Sequence, residues 1–301
     1  MTAFELPKDH DARRRYLNSP RVPHIYDFLI GGNESYHQDR EAAIALYQVA
    51  DWIKTAALIN REFGRLSVQM SLELGVRQFL DLGCGLPAKP TKPVAADLHE
   101  TVAKVERGCP VVYVDRDPAV YGHAKCELDD NPPHNTTAVH ADLLDMYQLL
   151  GSDEVTDAFD LSQPVAVTIH DTLPWTEDDA AVEHALKVLR QWMPPGSTLS
   201  ITHLTDHWHP VTMPDLVAAY DRLGIGVRPR TQAQIADLFG DFVHQGPGLV
   251  ATGRWFDNGP YFLHPPEHSA AFAGIARKAG PVAKLPHEDA REAATVRGEA
   301  A

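Results

Sequence analysis

Phe79-Leu-Asp-Leu-Gly-Cys-Gly85 is the stretch that decides the fold. An apolar run broken by one acid leads straight into a Gly-x-Gly turn. Glycine there can take a positive φ and lets a ligand approach the backbone at the carboxyl edge of a sheet, where open α/β folds bind cofactors. The third glycine of a dinucleotide fingerprint is missing, because the chain continues Leu86-Pro-Ala-Lys89. Asp81 stands just ahead of the glycines, a poor neighbour for a diphosphate and a good one for a cationic amino-acid group.

Working outward from that turn, strands are expected at 78–82, 111–115, 136–140, 165–170 and 197–203, and helices at 94–105, 119–129, 178–192 and 213–223. Runs such as Val111-Val-Tyr-Val114 and Val165-Ala-Val-Thr-Ile169 are nearly apolar throughout, as parallel strands covered on both faces are. Their alternation with helices implies right-handed βαβ crossovers. Thr231-Gln-Ala-Gln234 has the form of a capping box opening a short helix, and strands at 242–245 and 249–255 read as a hairpin about Gly246-Pro-Gly248. The fold predicted is α/β, a Rossmann-like, seven-stranded, mostly parallel sheet flanked by helices. Ahead of it, 22–74 reads as helical with a break at Gly31-Gly32, and Phe63, Leu66, Met70 and Leu74 form one apolar helix face. The chain therefore divides into a helical lid at 1–74, whose first 20 residues are polar and loosely ordered, a cofactor-binding domain at 75–262, and an Ala-, Glu- and Pro-rich mobile tail at 263–301.

The bulk numbers exclude several function classes. The chain has 301 residues and a formal net charge of −14, which disfavours nucleic-acid or anionic-membrane partners that need a basic surface. The one basic cluster, Arg13-Arg14-Arg15 with Arg21, reads as a solvated segment. Cys84, Cys109 and Cys126 are too few and scattered for a disulfide framework or a thiolate zinc site. No leader-like apolar segment stands at the N-terminus, so a cytoplasmic location is expected.

Three strands in succession end in acids. Asp81 precedes the Gly-x-Gly turn, Tyr113-Val-Asp115 closes the second strand, and His140-Ala-Asp142-Leu143 follows the third. An acid at the second strand's tip can accept both hydroxyl protons of a ribose, and one after the third can accept from an adenine amino group.

These residues resemble the motifs of class I S-adenosylmethionine (SAM) methyltransferases. More narrowly, the chain resembles a mostly actinobacterial SAM methyltransferase family that long carried a domain-of-unknown-function label. The likeness rests on Ile25-Tyr-Asp-Phe-Leu-Ile-Gly-Gly-Asn33, Asn60-Arg61, Gln78 to Pro87, His99-Glu100, Val112 to Pro118 and Ala141-Asp-Leu143, and spans roughly 20–257. It implies SAM as cofactor, held by Asp81, Gly83, Gly85, Asp115, Arg116, Asp142, Leu143 and His170. The N-terminal block would fold back as a lid, bringing Tyr26, Gly31, Gly32, Asn33 and Arg61 to the methionine carboxylate. An Ala-Lys-Pro-Thr-Lys-Pro insertion at 88–93 departs from the family's shorter turn.

In this architecture the acceptor sits beyond the fourth and fifth strands, at Thr168-Ile-His-Asp-Thr-Leu-Pro-Trp175 and Thr202-His-Leu-Thr-Asp-His-Trp-His209. His170 and Asp171 are candidates for base and orienter, with Tyr26 as a further catalytic candidate; the bland alternative is that His170 only bonds the backbone. His203, Asp206, His207 and Trp208 are candidate acceptor contacts or a hydrogen-bonded surface loop. They leave a strand for Pro210, without the helix that a His-x-x-x-His metal site needs, so no metal is expected. Tyr36, Trp52, Trp175 and Trp208 suggest an aromatic wall and a flat, small-molecule acceptor. Some similar proteins methylate indole C3 of tryptophan-containing cyclic dipeptides, which makes that reaction the concrete candidate. A SAM-binding regulator without transferase activity, an O- or N-methyltransferase, and an NAD-dependent oxidoreductase are the alternatives. Oligomeric state is open, a homodimer being one option.

Overall fold

A computed structural model describes residues 9, 11, 14, 16, 18–87, 95–130 and 135–280. Most of 1–20, with Arg13 and Arg15 of the basic cluster, the 88–93 insertion, and the 281–301 part of the tail lie outside the described residues.

Five parallel strands carry the fold: β1 (Phe79–Leu82), β2 (Val111–Asp115), β3 (Thr136–His140), β4 (Ala166–His170) and β5 (Thr198–Leu204). They lie in the order β3-β2-β1-β4-β5, so the strand order reverses between β1 and β4. That reversal opens a crevice at the carboxyl edge, where ligands bind in open α/β sheets. Leu80, Leu82, Val112, Val114, Val167 and Ile169 pack on one face against helix α8 (Asp179–Trp192), whose Val182, Ala185, Leu186 and Leu189 are buried. Asp178 starts that helix by accepting from the backbone N–H groups of Ala180 and Ala181. Phe79, Val111 and Tyr113 pack on the other face with Val102 of α4 (Leu98–Val105) and with Val68 and Leu72 of α3 (Ile53–Glu73).

The carboxyl-terminal part of the sheet departs from the expectation. Ala271–Arg277 forms β8, antiparallel to β5 along its whole length, inside the segment read as a mobile tail. Its sequence, Ala-Phe-Ala-Gly-Ile-Ala-Arg, is poor in the β-branched residues that signal a strand. Small residues are required there: a Cβ on Gly274 would stand 2.8 Å from the Phe239 ring. The expected hairpin is absent as well. Strands β6 (Val243–His244) and β7 (Val250–Ala251) do not pair with each other; each pairs with β8, antiparallel, at a different end. They are two pieces of one strand position, interrupted where Gly246-Pro-Gly248 swings out under Trp255, whose Nε1 donates to the Gly248 carbonyl at 3.0 Å. The sheet thus has eight strands across seven positions.

Helices α1 (Val22–Ile30), α2 (His37–Val49) and α3 precede the sheet. Gly31 ends α1 at φ 90°, and the Gly32 N–H donates to the Asp27 carbonyl. The long helix α3 is rotated from the predicted face: Asn60, Phe63, Ser67, Ser71 and Leu72 are buried, whereas Leu66, Met70 and Leu74 are not. Ser71 Oγ lies 3.0 Å from Thr198 Oγ1, so a hydroxyl pair joins the apolar contacts of Val68 and Leu72 in seating this helix on the sheet. Helix α9 (Thr212–Arg222) completes this layer, joining Ile25, Leu29, Ala43 and Leu46 in a second core through Met213, Leu216 and Tyr220. No single described helix is long and apolar enough to cross a membrane; α2 and α3 pass together by length and composition but bend by 107°.

Candidate active site

A cavity of about 490 Å³ lies over the carboxyl edge of β1, β2 and β4. Its wall includes Asp81, Gly83, Gly85, Asp115, Arg116, Asp142, Leu143, Tyr26, Arg61, His170, Asp171 and Trp175, so most of the candidate residues come together. Gly31, Gly32, Asn33, Tyr36, Trp52, His203, Asp206, His207 and Trp208 do not line it.

At the β1–β2 end the groups hold one another in place. Gly83 has φ 78°, and a Cβ there would lie 2.2 Å from Thr172, whose hydroxyl donates to the Leu82 carbonyl. Gly85, at φ 66°, has nothing within 4 Å of that position and leaves its backbone open to the cavity. Asp115 accepts from the Gly85 N–H at 3.0 Å and the Asp117 N–H at 2.8 Å. Burial pushes its carboxyl pKa up, against those two bonds. Asp142 accepts from the Leu144 N–H and faces Arg116 at 3.6 Å. Burial pushes Asp81 up to about 6, although Thr168 Oγ1 donates to it at 2.7 Å.

The N-terminal helices close the other wall. Arg61 is ion-paired to Asp97, and its buried Nε has no partner among the described residues. Burial opposes its charge, but Asp97 prevails and the guanidinium pKa is raised. Asp97 also caps α4 with Glu100 at its third position, which is a capping box legible in Asp97-Leu-His-Glu100. Tyr26 Oη donates to the Ala57 carbonyl at 2.9 Å and accepts from Asn60 Nδ2 at 3.1 Å, and burial pushes its pKa up to about 12. Its proton is committed to the helix backbone, so Tyr26 positions Asn60 and is not placed to serve as a base. Arg21, read as part of a solvated segment, is instead mostly buried and paired with Asp117 at 3.2 Å.

At the β4 tip His170 and Asp171 stand in different surroundings. His170 Nε2 lies 2.7 Å from Ser200 Oγ, the ring packs edge-on against Phe63, and burial with the Arg61 charge pushes its pKa down to about 3. It is a neutral, bonded ring. Asp171 sits at φ 54°, a conformation held by its N–H on the Thr202 hydroxyl at 2.8 Å and its carbonyl on Trp175 Nε1 at 2.6 Å. Thr202 Oγ1 in turn donates to Asn60 Oδ1. Among the described residues no hydrogen bond reaches the Asp171 carboxyl, and burial pushes it up to about 7.

The residues outside the cavity have other work. Gly31 and Gly32 make the turn after α1, with no room at Gly32 because Asp27 fills the space of a Cβ; Asn33 is exposed beside them. Tyr36 caps α2 and is half exposed. Trp52 is buried and stacks on His209 at 4.4 Å. His203 is buried between the Leu204 carbonyl and Arg230, each at 2.8 Å. Arg230, which the sequence did not single out, also donates to the Leu173 and Thr176 carbonyls and so buttresses the turn carrying Trp175. Asp206 and His207 are exposed, and Trp208 packs on Phe272. The histidines point to three different places, and among the described residues no group of His, Cys, Asp or Glu is arranged to hold a metal.

A family model described as S-adenosyl methyltransferase matches residues 9–279, and the chain belongs to that family. It is similar to a solved DUF574-family protein from Streptomyces avermitilis, 31% identical over 86% of this chain and 98% of that one, with a TM-score of 0.78. A protein from Thermobifida fusca is 32% identical over 87% of this chain and 96% of that one, with a TM-score of 0.77. No curated protein matches the chain. The chain is a SAM-dependent methyltransferase with S-adenosylmethionine as its cofactor.

Proposed function

We propose that the enzyme methylates a small aromatic acceptor that gives up a proton on transfer, with Asp171 as the proton acceptor. Tryptophan-containing cyclic dipeptides, methylated at indole C3 with closure to a pyrroloindoline, are the first candidates. The observation that carries the reading is the desolvated carboxyl of Asp171, unpartnered among the described residues and opening into the same cavity as the Asp81–Gly85 turn.

The donor set fits the cofactor. Asp115, already oriented by two backbone N–H groups, turns to a ribose; Asp142 and Leu143 to an adenine; Arg61 Nε to a carboxylate; Asp81 to an ammonium. Bound SAM supplies an electrophilic methyl group on a sulfonium, so alignment and a water-poor wall are the protein's main contributions. Trp175 forms the acceptor's aromatic wall and fixes Asp171 through its indole N–H. A carboxyl pushed to about 7 is a competent general base near neutrality. His170, neutral and bonded to Ser200, shapes the floor beneath it.

The test is a mass-spectrometric screen of indole acceptors, cyclic tryptophan dipeptides first, for gain of one CH2 unit with the parent and with Asp171→Asn. Transfer by the parent and its loss in the variant is the expected result. Equal transfer by both removes Asp171 as base, and no transfer to any indole retires the aromatic acceptor.

A further inference from the structure

The charges around the cavity are unevenly satisfied. Four arginines line it, and each already has a carboxylate: Arg21 with Asp117, Arg61 with Asp97, Arg65 with Glu62, and Arg116 with Asp142. Of the acids in the wall, Asp81 is bonded by Thr168, Asp115 by two backbone N–H groups, Asp117 by Arg21, and Asp142 by Leu144 and Arg116. Asp171 and Glu177 are left over: among the described residues neither carboxyl has a hydrogen-bond or ion-pair partner. They flank the turn that carries Trp175, one on the floor and one at the exposed rim.

Glu177 lies against the wall. A Cβ on Gly226 would stand 2.5 Å from Glu177 Oε2, so the missing side chain is what lets the carboxylate lie down over the Gly224-Ile-Gly226 loop. That loop lines the cavity too. A carboxylate laid against a cavity wall with its hydrogen-bonding capacity unspent is a recognition group for a donor. An anionic ligand at this end would meet two acids and would have to break an existing ion pair to find a cation.

We infer that the acceptor is a neutral or cationic molecule bearing N–H donors, gripped between the Asp171 and Glu177 carboxylates, and that anionic acceptors are rejected. The inference rests on the reading of Asp171 as the acceptor-side base and adds Glu177 as a specificity-determining residue. On transfer, the acceptor's electron pair forms the new bond to the methyl carbon and the pair of the broken bond stays on sulfur. The N–H proton passes to a carboxylate oxygen of Asp171.

Two binding measurements test this by calorimetry. The first is independent of the acceptor and compares S-adenosylhomocysteine with sinefungin, which carries an ammonium where the methyl group would be. Sinefungin is expected to bind the parent roughly tenfold more tightly than S-adenosylhomocysteine, with the gap closing in Asp171→Asn. Equal affinities in parent and variant overturn the inference, whereas failure of the parent to bind S-adenosylhomocysteine at all overturns the cofactor site itself. The second titrates protein saturated with S-adenosylhomocysteine with tryptamine and with indole-3-acetate, which share a ring and differ in charge. Tryptamine is expected to be favoured by roughly tenfold, the preference shrinking in Glu177→Gln and reversing in Glu177→Lys. Indole-3-acetate binding as well as tryptamine, or a preference indifferent to Glu177, overturns the role of Glu177. If neither indole binds while sinefungin behaves as expected, the aromatic reading falls and the charge selection of the floor stands.

Discussion

The two ends of this cavity follow opposite rules. Around β1 and β2 the acids are bonded before any ligand arrives: Asp115 has two backbone N–H donors, Asp142 has Leu144 and Arg116, and Asp81 has Thr168. Beyond β4, His170 is spent on Ser200 and, among the described residues, the Asp171 carboxyl is left without a donor. The first arrangement fixes charge and direction for a ligand that never changes. The second leaves a group free to take up a proton, at the expense of holding a charge in a poorly solvated place.

The largest effect should come from removing that free group. Asp171→Asn is expected to lower turnover by about 10²–10⁴-fold, the usual contribution of a positioned base, while S-adenosylhomocysteine still binds. Loss of cofactor binding in parallel with turnover would erase the division between the two ends. The pH dependence sharpens it further. Because burial raises the Asp171 pKa to about 7, the native state holds a proton that the unfolded chain releases near its ordinary value. The stability linked to this group is complete below the unfolded aspartate range and is lost as pH rises through about 7. Turnover should rise over that same window. Relative to Asp171→Asn, the apoprotein's Tm should therefore fall between about pH 5 and pH 8 while activity climbs; the slopes from Asp81, raised to about 6, and from His170 and His203, depressed to about 3 and of opposite sign, are common to both proteins and cancel in that difference.

At the cofactor end the expected losses are smaller and of a different kind. Gly83→Ala adds a left-handed backbone penalty to a collision with Thr172, together about 2–4 kcal/mol of stability in urea unfolding. Gly85→Ala has the backbone penalty alone, about 1–2 kcal/mol, because no atom lies within 4 Å of the added carbon. Equal losses at the two glycines would mean that Thr172 yields freely. Asp115→Ala should weaken S-adenosylhomocysteine binding by about 1–3 kcal/mol in calorimetry, and unchanged affinity would remove Asp115 from the site.

The same contrast explains what the sequence made legible. Strand-end acids and the Gly-x-Gly turn are local patterns, tied to a strand a few residues away, and the chain writes them out in order. Asp171 was legible as a chemical residue, but the base role proposed for it was not, because that proposal depends on His170 meeting Ser200 and on Thr202 and Trp175 holding a positive φ, all partners from elsewhere in the fold. Distance in sequence also hid the Arg61–Asp97 pair, which joins the helical block to α4. Strand β8 was illegible for a packing reason: with Phe239 pressed on Gly274, only small residues fit, and an Ala-rich strand reads like a helix or a tail. The Gly31-Gly32 block was conspicuous in sequence, yet its glycines serve the turn after α1 while Tyr26, five residues earlier than Gly31, is the part that reaches the cavity.

The smallest expected effect tests where the acceptor end stops. Asp206 and His207 were candidates by chemistry and by position after β5, but both are exposed and neither lines the cavity. His207 lies edge-on to Trp208 and Phe272, and the buried member of its cluster, His203, is committed to Leu204 and Arg230. Asp206→Asn and His207→Ala should therefore change stability by less than about 0.5 kcal/mol and leave turnover at the parent's level. A fall in turnover in either variant, with folding intact, would mean that the loop after β5 folds over the acceptor during reaction. The acceptor end would then extend past the rim that Glu177 marks, and its charge would have to include Asp206.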